Sequence, residues 1–459
     1  MLVCTGLNSP KSLIWETKYH SVRFSTLIKM KFPPLFSREV QKSVDAVRWF
    51  AGVSITATCQ RIESAMIGIH GHGSGAPVEI RKTISFDIPR EIVDSFNDLQ
   101  QQCTAAGRTE VKIPVGLSLH VARELACIEE EAIQELIGES RLTANDVLAV
   151  GVYDPGLRVA TTHGVFYQGL CDASRLAEQT GMNIVDSFPA QDIAVRGNGG
   201  PIFPLPAWIF LKSETHNRIL LDLGRTAQLT YIPCAENAFS HQKIQQIDVI
   251  PCGSLLDTLV WQLTGGKTAV DAGGRFAVQG CQNPQLMSAL RSARLPKKNW
   301  APTGLKPDRY LQIADKAAQQ GLSYQDVLCT VSGFIAETVA EQVLNLMKTT
   351  GQHEPELLIQ GSGCLHGLLM NSLATQLQKR SLTPISQFGI PVDTFDALCT
   401  AMLTSLTIEH VPGNLPHLTG SETTRPLGRI TPGSIANWHR LLCEMAGTKP
   451  VNRSLRSAM

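Results

Sequence analysis

The sequence predicts an α/β protein of two lobes with a cleft between them, and three observations carry that expectation. Apolar strand-like runs at residues 48–55 and 62–69 flank the polar turn Thr56-Ala57-Thr58-Cys59-Gln60, and the same strand–turn–strand pattern returns at 219–223 and 227–232 around Gly224. A chain of 459 residues with 43% hydrophobic content can bury more than one core, so two domains are expected. No low-complexity linker separates the two patterns, which implies lobes joined closely.

The elements follow in order. Residues 71–77 (GHGSGAP) form a second turn after the opening hairpin. Helical spacing of apolar residues runs from 121 to 137, with Arg123, Glu124 and the acidic run 129–131 on the wet side. Residues 146–152 read as a buried strand, and 173–180 as a short helix that Gly181 stops. Further on, 255–263 and 327–347 read as helices, the second amphipathic through Val331, Ile335, Val339, Val343 and Met347. Residues 357–359 make a short strand before Gly361-Ser362-Gly363, and 394–406 a last helix before the turn Gly413-Asn414-Leu415-Pro416. The expected divisions are an extension (1–44), a first lobe (45–215), a second lobe (216–393), a helix and turn returning to the first lobe (394–440) and a tail (441–459).

Charge and composition narrow the function. A formal net charge of +1 gives no global field for nucleic acid or an anionic membrane, so neither is an expected partner. The twelve cysteines have no Cys-x-x-Cys spacing and no histidines nearby to complete a zinc set, so no metal site is expected. Reduced thiols in the cytoplasm fit better than a disulfide framework. No apolar run reaches the roughly 18 residues that span a bilayer. Residues 1–44 carry seven lysines and arginines against Glu16 and Glu39. They are either a targeting or docking arm or a poorly ordered extension, and the segment order of a signal peptide is missing.

The most informative stretch is TGMNIVDSFPAQDIAVRGNGGPIFP. It sets Asp192 past an apolar strand-like run (182–185), then a flexible loop Arg196-Gly197-Asn198-Gly199-Gly200, with prolines 201, 204 and 206 stiffening the exit. A carboxylate at a strand end beside a glycine loop is where α/β enzymes place a base next to substrate. A helix N-cap followed by a surface turn fits the same pattern. At a loop edge, Asp192→Asn should leave folding nearly unchanged.

This stretch resembles the central motif of the anhydro-N-acetylmuramic acid kinases, Asp-Phe-Arg-x-x-Asp before Gly-Gly-Gln-Gly-Ala-Pro-Leu-Val-Pro. Ser187-Phe188-Pro189 stands for Asp-Phe-Arg, Asp192 for the last Asp, and Gly197-Asn198-Gly199-Gly200-Pro201-Ile202-Phe203-Pro204 for the glycine loop. Further motifs follow in the same order from about residue 50 to 432. The resemblance implies the two-lobed sugar kinase, actin and heat-shock ATPase fold. It also implies a reaction in which Asp192 activates a water that opens the anhydro bridge, while ATP with Mg2+ phosphorylates the freed 6-oxygen, a step of cell-wall recycling.

The family's first phosphate loop, Ser-Gly-Thr-Ser-Leu-Asp-Gly-Ile-Asp, stands here as Ile55-Thr56-Ala57-Thr58-Cys59-Gln60-Arg61-Ile62-Glu63. Both glycines and the first aspartate are gone, while Thr56 and Thr58 keep hydroxyls. The second loop is Asp222-Leu223-Gly224-Arg225-Thr226-Ala227-Gln228, in which Arg225 either meets a phosphate or is solvated surface. Gln360-Gly361-Ser362-Gly363 stands for the adenosine loop. The resemblance thus implies ATP contacts at Thr56, Thr58, Gly224, Arg225, Gly361, Ser362 and Gly363, and sugar contacts at Asp172, Asn198, Gly199 and Asp396. Tyr153-Asp154-Pro155-Gly156 replaces the family's His-Gly-Gln-Thr, which helps shape the sugar pocket. Pro412-Gly413-Asn414-Leu415-Pro416, matching the C-terminal signature, is expected to pack a terminal turn. Three readings stay open: a working kinase on an amino sugar, an impaired relative that regulates by binding sugar or a partner, and a scaffold. A homodimer is left open.

Overall fold

Central strands with both faces apolar start each lobe, because a strand covered on both sides by helices has no wet face to alternate toward. The computed structural model describes residues 47–447 apart from 74, 107–109, 163, 238, 295–304 and 352–353, so the extension at 1–44 and the end of the tail lie outside the described residues. β1 (Val47–Ile55) is buried almost throughout and pairs antiparallel with β2 (Arg61–His70), which pairs with β3 (Val78–Asp87). After α1 (Arg90–Gln102), the hairpin β4–β5 (Thr104–Ala106, Glu110–Lys112) and α2 (Val115–Ser140), the strand β6 (Val147–Tyr153) enters parallel to β1. The hairpin β7–β8 (Leu157–Thr161, Gly164–Gln168) and α3 (Ala173–Thr180) lead to β9 (Ile184–Asp186), parallel to β6. Two helices follow, α4 (Phe188–Ala194) and α5 (Pro204–Leu211).

The second lobe repeats the plan. β10 (Arg218–Leu223), β11 (Thr226–Ile232) and β12 (Gln245–Pro251) form an antiparallel meander. Helices α6 (Gly253–Leu263), α7 (Pro284–Ser292), α8 (Asp308–Gln319) and α9 (Tyr324–Thr350) precede β13 (Glu356–Gln360), parallel to β10. α10 (Gly367–Gln376) then leads to β14 (Leu382–Pro384), parallel to β13. The chain returns to the first sheet through α11 (Phe395–Ile408), α12 (Pro416–Thr419), β15 (Arg429–Thr431) on β9, and α13 (Ile435–Gly447). The sheet orders are β15-β9-β6-β1-β2-β3 and β12-β11-β10-β13-β14: leaving out β15, the same meander and parallel strands occur twice.

Two glycines let α11 lie flat on the first sheet. A Cβ on Gly52 of β1 would come within 2.1 Å of the Ala397 carbonyl, and one on Gly151 of β6 within 1.9 Å of Thr404 Oγ1. No side chain fits either place.

Sequence and structure differ at several elements. α2 and α9 extend beyond the ranges read from periodicity, since apolar spacing marks only the part of a helix that faces a core. Residues 204–211, read as a proline-stiffened exit, form α5, because proline fits a first helical turn whose N–H groups lack partners anyway. α9 contradicts the expectation of no membrane-length apolar run. By length and composition it passes, but 78% of its apolar window is buried, around Val331, Phe334 and Val339 of the second-lobe core.

Glu129, expected on the wet side of α2, is fully buried, and neither carboxyl oxygen has a hydrogen-bond partner. Burial, reinforced by Asp154, Asp186 and Asp172, pushes its pKa well above the ordinary carboxyl range. The folded state therefore holds this proton more tightly than the unfolded chain. The stability from Glu129 is fully present below the unfolded value of about 4.3 and is lost as pH rises toward the folded one. Glu129→Leu should raise the melting temperature at pH 8 by about 3 °C or more, and by less at pH 5, measured by calorimetry. A lower melting temperature at both values would show that the site accommodates the carboxyl.

Candidate active site

The turns expected to hold phosphates sit at the C-terminal ends of β1 and β10, the ends at which α/β sheets place ligands. The first turn is closed on itself. Thr56 N–H donates to the Arg61 carbonyl (3.0 Å), Cys59 N–H to the Thr56 carbonyl (2.7 Å), and Arg61 N–H to Thr56 Oγ1 (3.2 Å). Thr58 Oγ1 donates to Gln60 (3.2 Å). The Arg61 guanidinium turns away to Ser85 (2.7 Å) and Asp393 (2.8 Å). Both hydroxyls expected to face ATP thus bond within their own turn.

The second turn and the adenosine loop do come together. A Cβ on Gly361, whose φ is +87°, would lie 2.6 Å from the Gly224 nitrogen, and one on Gly363 would lie 2.5 Å from the Leu223 carbonyl. The loops approach closely because both positions are glycine. Gly224 N–H donates to Asp222 Oδ1 (2.8 Å), and the Gly224 and Arg225 carbonyls accept from the start of α6 at Gly253 (3.0 Å) and Ser254 (3.1 Å). The Arg225 side chain is exposed, and no ion pair engages it among the described residues. Ser362, on the adenosine loop, is exposed as well. Gln360 donates to Asp222 Oδ2 (3.0 Å), which leaves its own Oε1 buried without a partner. His366 caps α10 by accepting from Leu369 N–H at Nδ1 (3.2 Å), so its proton is on Nε2, 3.7 Å from Asp271.

Three carboxyls mark the junction of the lobes. Burial pushes Glu63, at the start of β2, well above its ordinary range, and Asp396 adds to the shift. Asp396 is itself pushed up to about 7 by burial and then by Asp222. Asp222 is raised by burial, against the hydrogen bonds from Gln360 and Gly224. Titratable groups coupled across two lobes are characteristic of functional sites. Asp396, expected as a sugar contact, therefore stands with the nucleotide-side residues. Neither Glu63 nor Asp222 stood out in the sequence, although Glu63 fills the last acidic place of the first loop motif.

The sugar side is built around Asp192. It lies in α4 rather than at a loop edge, and is fully buried. Its Oδ2 accepts from Gly199 N–H (2.9 Å) and its Oδ1 from Asn414 Nδ2 (2.8 Å). An amide there would set its NH2 against one of two donors, so the expectation that Asp192→Asn leaves folding unchanged does not hold. Asp192 caps no helix start. Its backbone carbonyl instead accepts from Val195 and Gly197 at the end of α4. The loop expected to be flexible is tied down: Asn198 donates to the Thr419 carbonyl through both its backbone N–H and its side chain (2.9 Å each), and Glu422 N–H donates to the Val195 carbonyl (2.9 Å). Asn198 is thus a staple rather than a free sugar contact. Asp172 caps α3 through Arg175 N–H (3.1 Å). Asp154 is buried and holds Leu170 N–H, Cys171 N–H (2.8 Å) and Tyr167 OH (3.0 Å), so the segment replacing His-Gly-Gln-Thr is committed to internal bonds. A cavity of about 320 Å³ lined by Asn217, Tyr231, Glu236 and Lys243 lies at the other end of the second sheet and shares none of these groups.

Two lobes on one strand plan, meeting where turns and carboxyls gather, define the architecture of sugar kinases, actin and heat-shock ATPases. The family model for anhydro-N-acetylmuramic acid kinase matches residues 57–433, and the chain belongs to that family. It is 28% identical over 351 residues to the anhydro-N-acetylmuramic acid kinase of Ralstonia nicotianae, covering 75% of this chain and 88% of that one. With the Xylella fastidiosa protein of the same name it shares 31% over 307 residues, covering 66% and 76%. With that of Bordetella parapertussis it shares 29% over 370 residues, covering 78% and 90%.

The residues present fit a nucleotide unevenly. Around the second turn and adenosine loop, the exposed Arg225 and the buried, unpartnered Gln360 Oε1 suit a nucleotide. The closed first turn does not suit its phosphates. No group of three or more His, Cys, Asp or Glu among the described residues is placed to hold a metal ion. Magnesium carried on a nucleotide needs only one or two carboxylates, and Asp222 and Asp396 are the residues that would hold it here.

Gly197→Ala tests how rigidly Asp192 is held. The new Cβ would lie 2.0 Å from Asp192 Oδ2, and the carboxylate cannot swing away without leaving Gly199 and Asn414. A loss of about 1–3 kcal/mol in denaturant unfolding is expected. Adding Asp192→Ala should recover part of it, whereas equal losses in the two variants would mean that the loop yields.

Proposed function

We propose that this chain is an amino-sugar kinase that opens the bridge of 1,6-anhydro-N-acetylmuramic acid with water and phosphorylates the freed 6-oxygen from ATP, holding the nucleotide weakly. The observation that carries this reading is the buried Asp192, braced by Gly199 and Asn414 where the family places its base. Each carboxylate oxygen accepts one of these bonds and keeps a second lone pair for a water proton. As that water attacks the anomeric carbon, its proton passes to Asp192 and the bond from that carbon to the bridging 6-oxygen breaks. ATP supplies the phosphoryl group that the 6-oxygen takes. Asp192 is fully buried, so water and sugar reach it only when the surrounding segments part.

Weak nucleotide binding follows from the first turn, whose N–H groups at Thr56, Cys59 and Arg61 are engaged internally. Arg225 offers a replacement charge at the second turn. Each 1.4 kcal/mol of phosphate stabilisation lost costs about a factor of ten in rate. The closed first turn also favours a second reading, a protein that binds the sugar without turnover. The unpaired cysteines, Cys252 and Cys399 among them, support a reducing, cytoplasmic setting.

Calorimetry with Mg-ATP and a coupled ADP-release assay with the anhydro sugar separate the two. The expected result is sugar-dependent ADP release with an ATP affinity in the high micromolar range or weaker. Arg225→Ala should raise the KM for ATP about tenfold. Sugar binding without ADP release at saturating ATP would overturn the kinase reading in favour of the second.

A further inference from the structure

We propose that Asn414 is a positioning residue for Asp192, an assignment that rests on the kinase reading above. Sequence resemblance places Asn414 in a C-terminal signature that packs a turn, yet the structure brings it to the candidate base across 222 positions of chain. Its amide has one orientation. Oδ1 accepts from Arg425 N–H at 2.6 Å, which leaves Nδ2 to face Asp192 Oδ1 at 2.8 Å, Ser421 Oγ at 2.9 Å and the Thr423 carbonyl at 3.1 Å. The choice between amide oxygen and nitrogen is thereby settled by a backbone donor rather than by side chains free to rotate.

The surroundings make the contact consequential. Asn414 and Asp192 are 1% and 0% exposed, so no water substitutes for the amide. With Gly199 N–H on the other oxygen, the carboxylate is held between two fixed donors, one from its own loop and one from the segment after α11. The same donors fix its side-chain rotamer, and with it the direction of the lone pairs that would receive a proton. A base displaced by about 1 Å can lose about a hundredfold in rate without any change in substrate affinity. Asn414 thus does for Asp192 what the family's motif spacing does not reveal: it ties the base to the segment that follows α11.

The test compares Asn414→Leu and the isosteric Asn414→Asp with Ser421→Ala, which loosens the same network without touching Asp192. Asn414→Asp keeps the Arg425 contact and sets a second carboxylate against the first. Both Asn414 variants should lose at least about thirtyfold in kcat, with the KM for sugar and for ATP within about threefold of the parent. Ser421→Ala should lower the melting temperature yet keep kcat within about threefold. An unchanged kcat in Asn414→Asp overturns the proposal, and so does an equal loss in Ser421→Ala, which would mean that kcat follows the looseness of the segment. A parent protein without sugar-dependent turnover overturns the kinase reading and this assignment together, and is recognised before any variant is made.

Discussion

Everything at the candidate site hangs on α11 lying directly on β1 and β6. The approach is possible only because Gly52 and Gly151 carry no side chain under Ala397 and Thr404. Lying there, α11 sets Asp396 near Glu63 at the junction and directs the following segment back toward α4, where Asn414 meets Asp192. A methyl group at either glycine would lift the helix, and the two halves of the site would lose their common reference.

The two halves are built in different ways. On the sugar side, ties from Asn198 to Thr419 and from Glu422 to Val195 make the glycine loop beside the carboxylate a braced one. The phosphate side keeps the glycines that let the second turn and adenosine loop touch, but its first turn satisfies its own backbone. Electrostatics sharpen the contrast. Asp222 raises Asp396 and Asp396 raises Glu63 in a site where burial has removed water, so cationic or proton-bearing ligands are favoured there over bare phosphate. A magnesium-bound nucleotide answers both demands.

Much of the fold was legible because it depends on local pattern. The hairpins at the start of each lobe, α3 with Gly181 behind it, and the strand before Gly361 follow from apolar spacing and turn chemistry. α4 and α5 were not legible, since prolines 201, 204 and 206 read as a stiffened exit, whereas Pro189 lies in the first turn of α4 and Pro204 and Pro206 in that of α5. Glu129 was misplaced for a related reason: an acidic run looks solvated unless the neighbouring helix and strands are known.

The sequence by itself determined the duplicated strand–turn–strand plan, the family, and Asp192 as the group to watch, because each is written in residues close together along the chain. Only the tertiary structure decided what Asp192 touches, that Asn198 and Asp172 serve backbone groups, and that Glu63, Asp222 and Asp396 share one junction. Those relations join positions up to hundreds of residues apart. They are set by how closely helices pack on sheets and by which buried donors find an acceptor, and neither quantity exists until the chain has folded.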